Sequence, residues 1–284
     1  IELDATENKS KLGANAILSV SLACARAASN SMSISLYEYL NIMYKGISNK
    51  NSTMSLPVPM LNIMNGGCHA NNNVDIQEFM IIPSNKFNFK DGLMKSVEVY
   101  THLKNLLIEK GLSVSVGDEG GFAPNLKTSE EVLDLIILSI ERAGLIYLDD
   151  ISIALDCAAS ELFNKDTYRL TGENKKYSSE EMVVYIQSLV DKYEIKSVED
   201  PFDETDWNAW KTFTNSNKDL QIVGDDIFVT QEKILTKGIE NKVANSILIK
   251  LNQVGTLSET MQTISLAKNN GYKTIISHLS LIHI

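Results

Sequence analysis

A regular alternation of short apolar runs and helical patterns constrains the fold of this chain more than any other feature. A strand–helix–strand order favours parallel pairing, because a parallel neighbour needs a long crossover that a helix usually supplies. Repeated units of this kind over residues 56–284 favour a (β/α) barrel over an open doubly wound sheet. The runs that predict strands are 58–64, 76–82, 151–156, 195–200, 221–226, 246–250 and 273–278. The patterns that predict helices are 14–29, 89–110, 129–144, 178–193, 230–240 and 257–270.

Two places depart from this alternation. Residues 65–75 join the first two strands, and because they are too few for a helical crossover they predict an antiparallel hairpin. The alternating run SVSVG at 113–117 is a weaker candidate for an additional strand. Ser129 and Ser178 each precede acidic residues, and both are therefore predicted to be helix N-caps.

Composition and charge indicate a globular protein that does not bind nucleic acid. Hydrophobic residues make up 44% of the 284 residues, which is enough for a sizeable core. The net charge of -10 argues against nucleic acid and anionic membrane surfaces as partners. No apolar run reaches the roughly 18 residues of a membrane span. Three cysteines, an odd number without metal-type spacing, favour a reducing compartment and predict a cytoplasmic location.

Five of the predicted strands end in a polar or charged residue after an apolar body. In a parallel barrel such ends meet at one mouth, where barrel enzymes hold their active sites. A ring of side chains is therefore expected there, formed by Asp156, Glu199, Asp225, Lys250 and His278.

The three carboxylates of this ring predict a Mg²⁺ site, since a set of oxygen donors suits a hard cation. Acidic residues after strands are also common as helix caps or solvated loop residues, and for any one of them that interpretation stays open. Asp200 and Asp226 are alternatives to their neighbours as ligands, because adjacent residues of a strand point to opposite faces.

Lys250 interrupts the apolar run SILIK, and a lysine is unusual in a buried strand. A partly desolvated lysine beside a divalent cation has a lowered pKa and could act as a general base. Three other roles stay open: a side chain that extends to solvent, a structural partner of one carboxylate, and the Schiff-base lysine of an aldolase-type barrel.

Two polar, glycine-rich loops carry further candidates. The loop NGGCHANNN at 65–73 contains His69, and the loop VGDEGGFAPN at 116–125 contains Asp118 and Glu119. Glycines on both sides allow the backbone to approach a ligand, or a loop to close over it. The alternative is that all three are ordinary solvated loop residues.

Several long segments of the chain carry a recognisable pattern: ENKSKLGANAILSVSLA (7–23), LNIMNGGCHA with IQEFMI (61–81), VGDEGGFAPN (116–125), IALDCAASE (153–161), SVEDPFDETDWNAW (197–210), VGDD (223–226) and ILIKLNQVGTLSET (247–260). Together they resemble the enolase family. The resemblance implies a (β/α)8 barrel that opens with an antiparallel strand pair, in which SVSVG is a connecting segment and one strand lies beyond residue 284. It assigns residues 1–50 to the end of an α+β N-terminal domain and residues 56–284 to an incomplete barrel, so a chain truncated at both ends is expected.

The same resemblance implies a homodimeric, Mg²⁺-dependent lyase of glycolysis. Its reaction is the reversible dehydration of 2-phosphoglycerate, a phosphorylated three-carbon acid, to phosphoenolpyruvate and water. Lys250 would remove the proton at C2, and Glu119 would be the acid that helps the C3 hydroxyl leave. Mg²⁺ would be held by Asp156, Glu199 and Asp225. Substrate would be contacted by His69, Gln77, Glu78, Glu199, Asp225, Lys250, Ser277, His278 and Ser280.

The resemblance fails at the end of the chain. Leu279 stands where the family has an arginine that binds the substrate phosphate, and the last residues, LIHI, match no family pattern. A truncation or read-through artefact is the expected cause, which resequencing of the 3′ end of the transcript tests. Because an arginine–phosphate pair is a strong charge-assisted contact, the chain as it stands is expected to have little or no activity. A catalytically inactive enolase-like binding or structural protein is the alternative function, and a Schiff-base aldolase is a remote third.

Overall fold

The computed structural model describes residues 1–48 and 53–277. The chain divides into two compact units. One unit is residues 56–222, and the other joins the chain up to residue 55 to the chain from residue 223 onward. Among the described residues, no helix is both long and apolar enough to cross a bilayer.

A sheet with antiparallel and parallel pairs lies at the centre of the unit 56–222. Strand β1 (Leu61–Asn65) pairs antiparallel with β2 (Glu78–Pro83), which confirms the predicted hairpin. Strand β2 pairs antiparallel with β3 (Ile151–Asp156), and β3 pairs in parallel with β6 (Ser197–Glu199). The predicted α/β class, opening with an antiparallel pair, is therefore confirmed.

The pair formed by β2 and β3 departs from the rule that a helical connection gives parallel strands. Two helices, α3 (Phe89–Glu109) and α4 (Ser129–Arg142), lie between these strands and contact each other. The second helix reverses the chain one additional time, so β3 runs opposite to β2. Residues 113–117 form an isolated bridge from Val116 to Phe122 rather than a strand, as the family resemblance implies.

The starts of two helices show which hydroxyl acts as the cap. Helix α5 (Ser179–Tyr193) begins with a capping box, in which Ser178 accepts from the Glu181 N–H and Glu181 accepts from the Ser178 N–H. This confirms Ser178 as an N-cap. The prediction for Ser129 is wrong, because Thr128 accepts from the Glu131 N–H and is the cap of α4. Ser129 instead donates its N–H and its hydroxyl to Glu173.

Other elements have no clear signal in the sequence. Strands β4 (Tyr168–Leu170) and β5 (Lys175–Tyr177) form an antiparallel hairpin, and helix α6 (Trp207–Ser216) follows β6. Each strand of the hairpin has three residues and carries charge, so no apolar run marks it.

The second unit contains parallel strands with helices packed beside them. The last residues of β7 (Gln221–Gly224) pair in parallel with β8 (Ser246–Ile249), and β8 pairs in parallel with β9 (Lys273–Ile276). The parallel pairing predicted for this region is therefore confirmed. The helices are α1 (Ala14–Ser31), α2 (Leu36–Ser48), α7 (Glu232–Asn241), α8 (Leu251–Val254) and α9 (Leu257–Asn269).

The apolar bodies of the strands are buried and fix the position of the polar residues that follow them. Ile153 and Leu155 of β3 and Ile247 of β8 have no exposed surface. Burial of a side chain of this size stabilises the fold by about 1.5–3 kcal/mol. The polar ends of the strands are thereby held on a rigid framework.

Candidate active site

Three acidic residues lie in a row across neighbouring strands of the unit 56–222. Glu78 begins β2, Asp156 ends β3 and Glu199 ends β6. Strand pairing places Glu78 opposite Asp156, and Asp156 opposite Glu199. Directly paired side chains lie on the same face of a sheet, with Cβ atoms about 5 Å apart. The sheet therefore gathers three carboxylates at one of its ends.

Asp156 is held in this row by two donors. The Gln77 Nε2 donates to Asp156 Oδ2 over 3.0 Å, and the Ala158 N–H donates to Oδ1 over 3.0 Å. Asp156 and Glu199 are each only 7% exposed. Buried carboxylates this close repel each other, and a cation with oxygen preference relieves that repulsion. The oxygen chemistry of these donors therefore fits Mg²⁺.

His69 and Glu119, from the two separate loops, lie side by side. His69 Nδ1 is 3.0 Å from Glu119 Oε1, although the contact lacks the alignment of a hydrogen bond. Asn65 Nδ2 donates to the other oxygen of Glu119 over 3.2 Å. The Glu119 side chain is 3% exposed and that of His69 is 35% exposed. A buried carboxylate is thus paired with an imidazole that solvent can reach.

The loop that carries Glu119 packs closely against β1. The Gly121 N–H donates to Asn65 Oδ1 over 2.9 Å, and a Cβ on Gly121 would lie 2.7 Å from the Met64 nitrogen. Only glycine fits there without displacing the strand. From α3, the Tyr100 hydroxyl donates to the Gly120 carbonyl over 2.9 Å, and its ring stacks on Phe122. These contacts fix the backbone that directly follows Glu119.

Asp75 anchors the loop that carries His69. Its carboxylate accepts from the Gly172 N–H over 2.9 Å and from the Glu173 N–H over 3.0 Å. Both donors belong to the turn between β4 and β5. A Cβ on Gly172 would lie 1.7 Å from the Asn73 carbonyl oxygen, so only glycine permits this approach. The His69 loop is therefore tied to the β4–β5 turn.

Replacing Asn65 by leucine is expected to lower the free energy of unfolding by about 2–3 kcal/mol, because it leaves the Gly121 N–H and Glu119 without their partner. Urea denaturation followed by circular dichroism measures the change. The matched control is Asn62→Leu on the same strand. Among the described residues, the buried amide atoms of Asn62 have no hydrogen-bond partner, so this change should be neutral or stabilising. Equal losses in the two variants would contradict the assigned role of Asn65.

In the second unit, Lys250 is paired with a carboxylate. Lys250 Nζ donates to Asp225 Oδ2 over 2.5 Å, and Gln253 Nε2 donates to Asp225 Oδ1 over 2.9 Å. Thr230 Oγ1 accepts from the Lys250 N–H and donates to Gln253 Oε1 over 3.0 Å, which orients both residues. The Lys250 side chain is 19% exposed and that of Asp225 is 8% exposed. The ion pair matches the structural-partner role left open for Lys250, and it does not exclude a chemical one.

The remaining predicted residues differ in how the structure places them. Asp118 and Asp226 are exposed, whereas Asp200 is buried like Glu199. Strand pairing places Glu199, and not Asp200, directly opposite Asp156. Ser277 is buried, and its N–H donates to the Ile249 carbonyl over 3.2 Å. His278 and Ser280 lie outside the described residues, as does Leu279.

The sequence pattern missed three residues that hold candidate side chains, one in the unit 56–222 and two in the second unit. Asn65 ends its strand with a polar side chain, so the rule that selected Asp156 could also have selected it. Gln253 and Thr230 had no comparable signal, because both follow strands at a distance and act by orienting Asp225 and Lys250.

Comparison with known families accounts for most of the chain. The family model described as "Enolase, C-terminal TIM barrel domain" matches residues 53–281. A second, described as "Enolase, N-terminal domain", matches residues 1–40. The first match alone spans well over half of the chain and includes every candidate residue described above.

Proposed function

The chain belongs to the enolase family, and on that premise we propose that the intact protein is a Mg²⁺-dependent lyase that dehydrates 2-phosphoglycerate to phosphoenolpyruvate. The proposal rests chiefly on the strand pairing that sets Asp156 opposite Glu199. The proposed reaction would belong to glycolysis and gluconeogenesis. The division into residues 1–50 and 56–284, a homodimer and a cytoplasmic location are proposed from the family resemblance as well.

We propose that Asp156, Glu199 and Asp225 hold the metal ion. Support comes from the burial of all three residues and from their oxygen-only chemistry. Bound Mg²⁺ would stabilise the negative charge that develops on the substrate carboxylate when the C2 proton leaves. Gln77, which donates to Asp156, would keep that carboxylate in one orientation.

Lys250 would be the base that removes the C2 proton. In its ammonium form Lys250 donates a hydrogen bond to Asp225. A divalent cation bound to the same carboxylate would weaken the hold of this nitrogen on its proton. Gln253 would keep Asp225 in place as the lysine changes charge. Glu119 would protonate the departing C3 hydroxyl, and the partly exposed His69 beside it would contact substrate.

An assay of phosphoenolpyruvate formation tests this function. The product of the complete gene should form phosphoenolpyruvate from 2-phosphoglycerate only when Mg²⁺ is present. The chain as it stands should show little turnover, because Leu279 cannot pair with the substrate phosphate. A complete product that folds and binds Mg²⁺ without forming phosphoenolpyruvate would overturn the proposal.

Leu279 also favours a second candidate function, a catalytically inactive enolase-like protein kept for binding or structure. The two candidates differ in the gene sequence beyond Ser277. An arginine in the place of Leu279 in the verified transcript supports the enzyme, whereas a confirmed leucine supports the inactive protein.

A further inference from the structure

A surface cavity of about 500 Å³, largely open to solvent, lies beside the β4–β5 hairpin in the unit 56–222, and its lining does not include the residues of the carboxylate row. Its size falls in the range of about 300–1,000 Å³ that is typical of small-molecule sites. The wall is formed by β5 and by one side of α5, with Tyr177 and Tyr185 as its largest side chains. None of the described residues proposed for catalysis or substrate binding lines it.

The aromatic wall of this cavity is rigid. The rings of Tyr177 and Tyr185 are stacked, with centroids 5.2 Å apart. The Tyr185 hydroxyl donates to Glu173 over 3.0 Å, and Glu173 is itself nearly inaccessible to solvent. Burial raises the pKa of the Tyr185 hydroxyl far above its usual range, so it stays a donor. The tyrosine faces are therefore held in a fixed position.

A cation already lies over one of these rings. Lys175 Nζ is 5.6 Å from the centroid of Tyr185, a distance typical of a cation–π contact. The same nitrogen is 2.7 Å from Glu173 Oε2. Because Glu173 is not among the residues that line the cavity, it compensates the charge of Lys175 from outside the cavity. The wall thus accepts positive charge on an aromatic face.

The acidic groups that line the cavity exceed the basic ones. Glu130, Glu180 and Glu181 contribute carboxylates, and Lys175, already paired with Glu173, contributes an ammonium. Glu180 accepts from the Ser178 hydroxyl and Glu130 is 3.4 Å from the Lys192 ammonium. A carboxylate accepts about four hydrogen bonds, so both keep acceptor capacity. The excess of carboxylates at this rim would repel an anionic ligand, and a cation would gain more from it than a neutral donor of the same shape.

We propose that the cavity binds a small organic cation in which an ammonium, amidinium or guanidinium group is joined to a flat apolar body. The flat body would lie along Tyr177 and Tyr185, and the cationic group would reach Glu130 and Glu180 at the rim. This site would be independent of the catalytic residues, and its occupancy does not require that the protein be an active lyase.

Titration with benzamidine, followed by ligand-detected NMR, tests the proposal. Benzamidine carries a flat ring and an amidinium, and benzamide is its neutral isostere. Saturable binding of benzamidine is expected, weaker binding of benzamide, and a loss of benzamidine affinity as salt rises. Glu180→Gln and Glu130→Gln should each lower the affinity about two- to fivefold, the range of exposed ion pairs.

Two further variants complete the test. Glu141→Gln removes the same charge from an exposed position on α4 that does not line the cavity, and it should leave affinity unchanged. Tyr177→Leu should weaken binding without a change in charge, and circular dichroism would verify its fold. Glu181 is left intact because it caps α5. No saturable binding, equal binding of benzamide, or equal losses in Glu141→Gln and Glu180→Gln would overturn the proposal.

Discussion

Replacing Lys250 by methionine is expected to lower the rate of phosphoenolpyruvate formation by the complete gene product about 10²- to 10⁴-fold, the usual contribution of a general base. Methionine has a similar length and no proton to exchange. The expected loss lies in the chemical step, so it should appear in kcat more than in KM. Steady-state rates at saturating Mg²⁺ measure it, together with exchange of the C2 hydrogen with deuterated solvent.

The control for this prediction is a second paired lysine of the same unit. Lys233 Nζ lies 2.9 Å from Glu7, with side chains 85% and 84% exposed. Lys233→Met should change neither kcat nor stability appreciably, because exposed ion pairs contribute little. Circular dichroism must show that Lys250→Met is folded, since that variant also leaves Asp225 without its cation. A folded Lys250→Met variant with wild-type kcat would remove Lys250 from the mechanism.

Mg²⁺ is expected to raise the thermal unfolding midpoint of the chain, and Asp156→Asn should abolish that rise. A ligand at a hundred times its Kd stabilises the folded state by about 2.7 kcal/mol. For the unit 56–222, which contains Asp156, this stabilisation corresponds to a rise of about 5–10 °C in the unfolding midpoint. Thermal melts with and without Mg²⁺ measure the shift, and they need no catalytic activity.

The asparagine substitution separates metal binding from folding. It is isosteric, and the Gln77 amide can rotate to present its oxygen to the new amide nitrogen. It also removes one of the charges in the row of Glu78, Asp156 and Glu199, so the metal-free protein should not lose stability. Glu141→Gln, on the exposed side of α4, should keep the full Mg²⁺ shift. A full shift in Asp156→Asn would place the metal elsewhere.

The elements that sequence patterns predicted are those with a long hydrophobic signal. Strand β3 matches its predicted bounds because each of its apolar residues is needed in the core, and α5 matches because Ser178 and Glu181 mark its start. The predicted N-cap of α4 was wrong by one residue, because Thr128 and Ser129 both carry a hydroxyl that can cap a helix. Only the folded structure distinguishes them, since Ser129 bonds to Glu173 and Thr128 caps the helix.

The candidate functional residues likewise include some that the sequence could predict and some that it could not. Asp156 and Glu199 were predictable because they end apolar strands, and their mutual pairing follows from the register of β3 and β6. The contact between His69 and Glu119 was not predictable from spacing, because 49 residues, with α3 among them, lie between these two residues in the sequence. Asp75, Gly172 and Glu173 are likewise joined only by folding, through backbone donors that any residue type except proline carries.

The bond between Asp75 and the β4–β5 turn also decides where this protein can be engineered. A surface hairpin turn is ordinarily a good place to splice in an epitope or a reporter domain. Here an insertion at Gly172 would withdraw the two N–H groups that hold Asp75, and the His69 loop would lose its anchor. Among the described residues, the stretch from Gly111 to Ser113, after α3, makes no such bond to that loop, and both of its ends are exposed, so it is the better splice point.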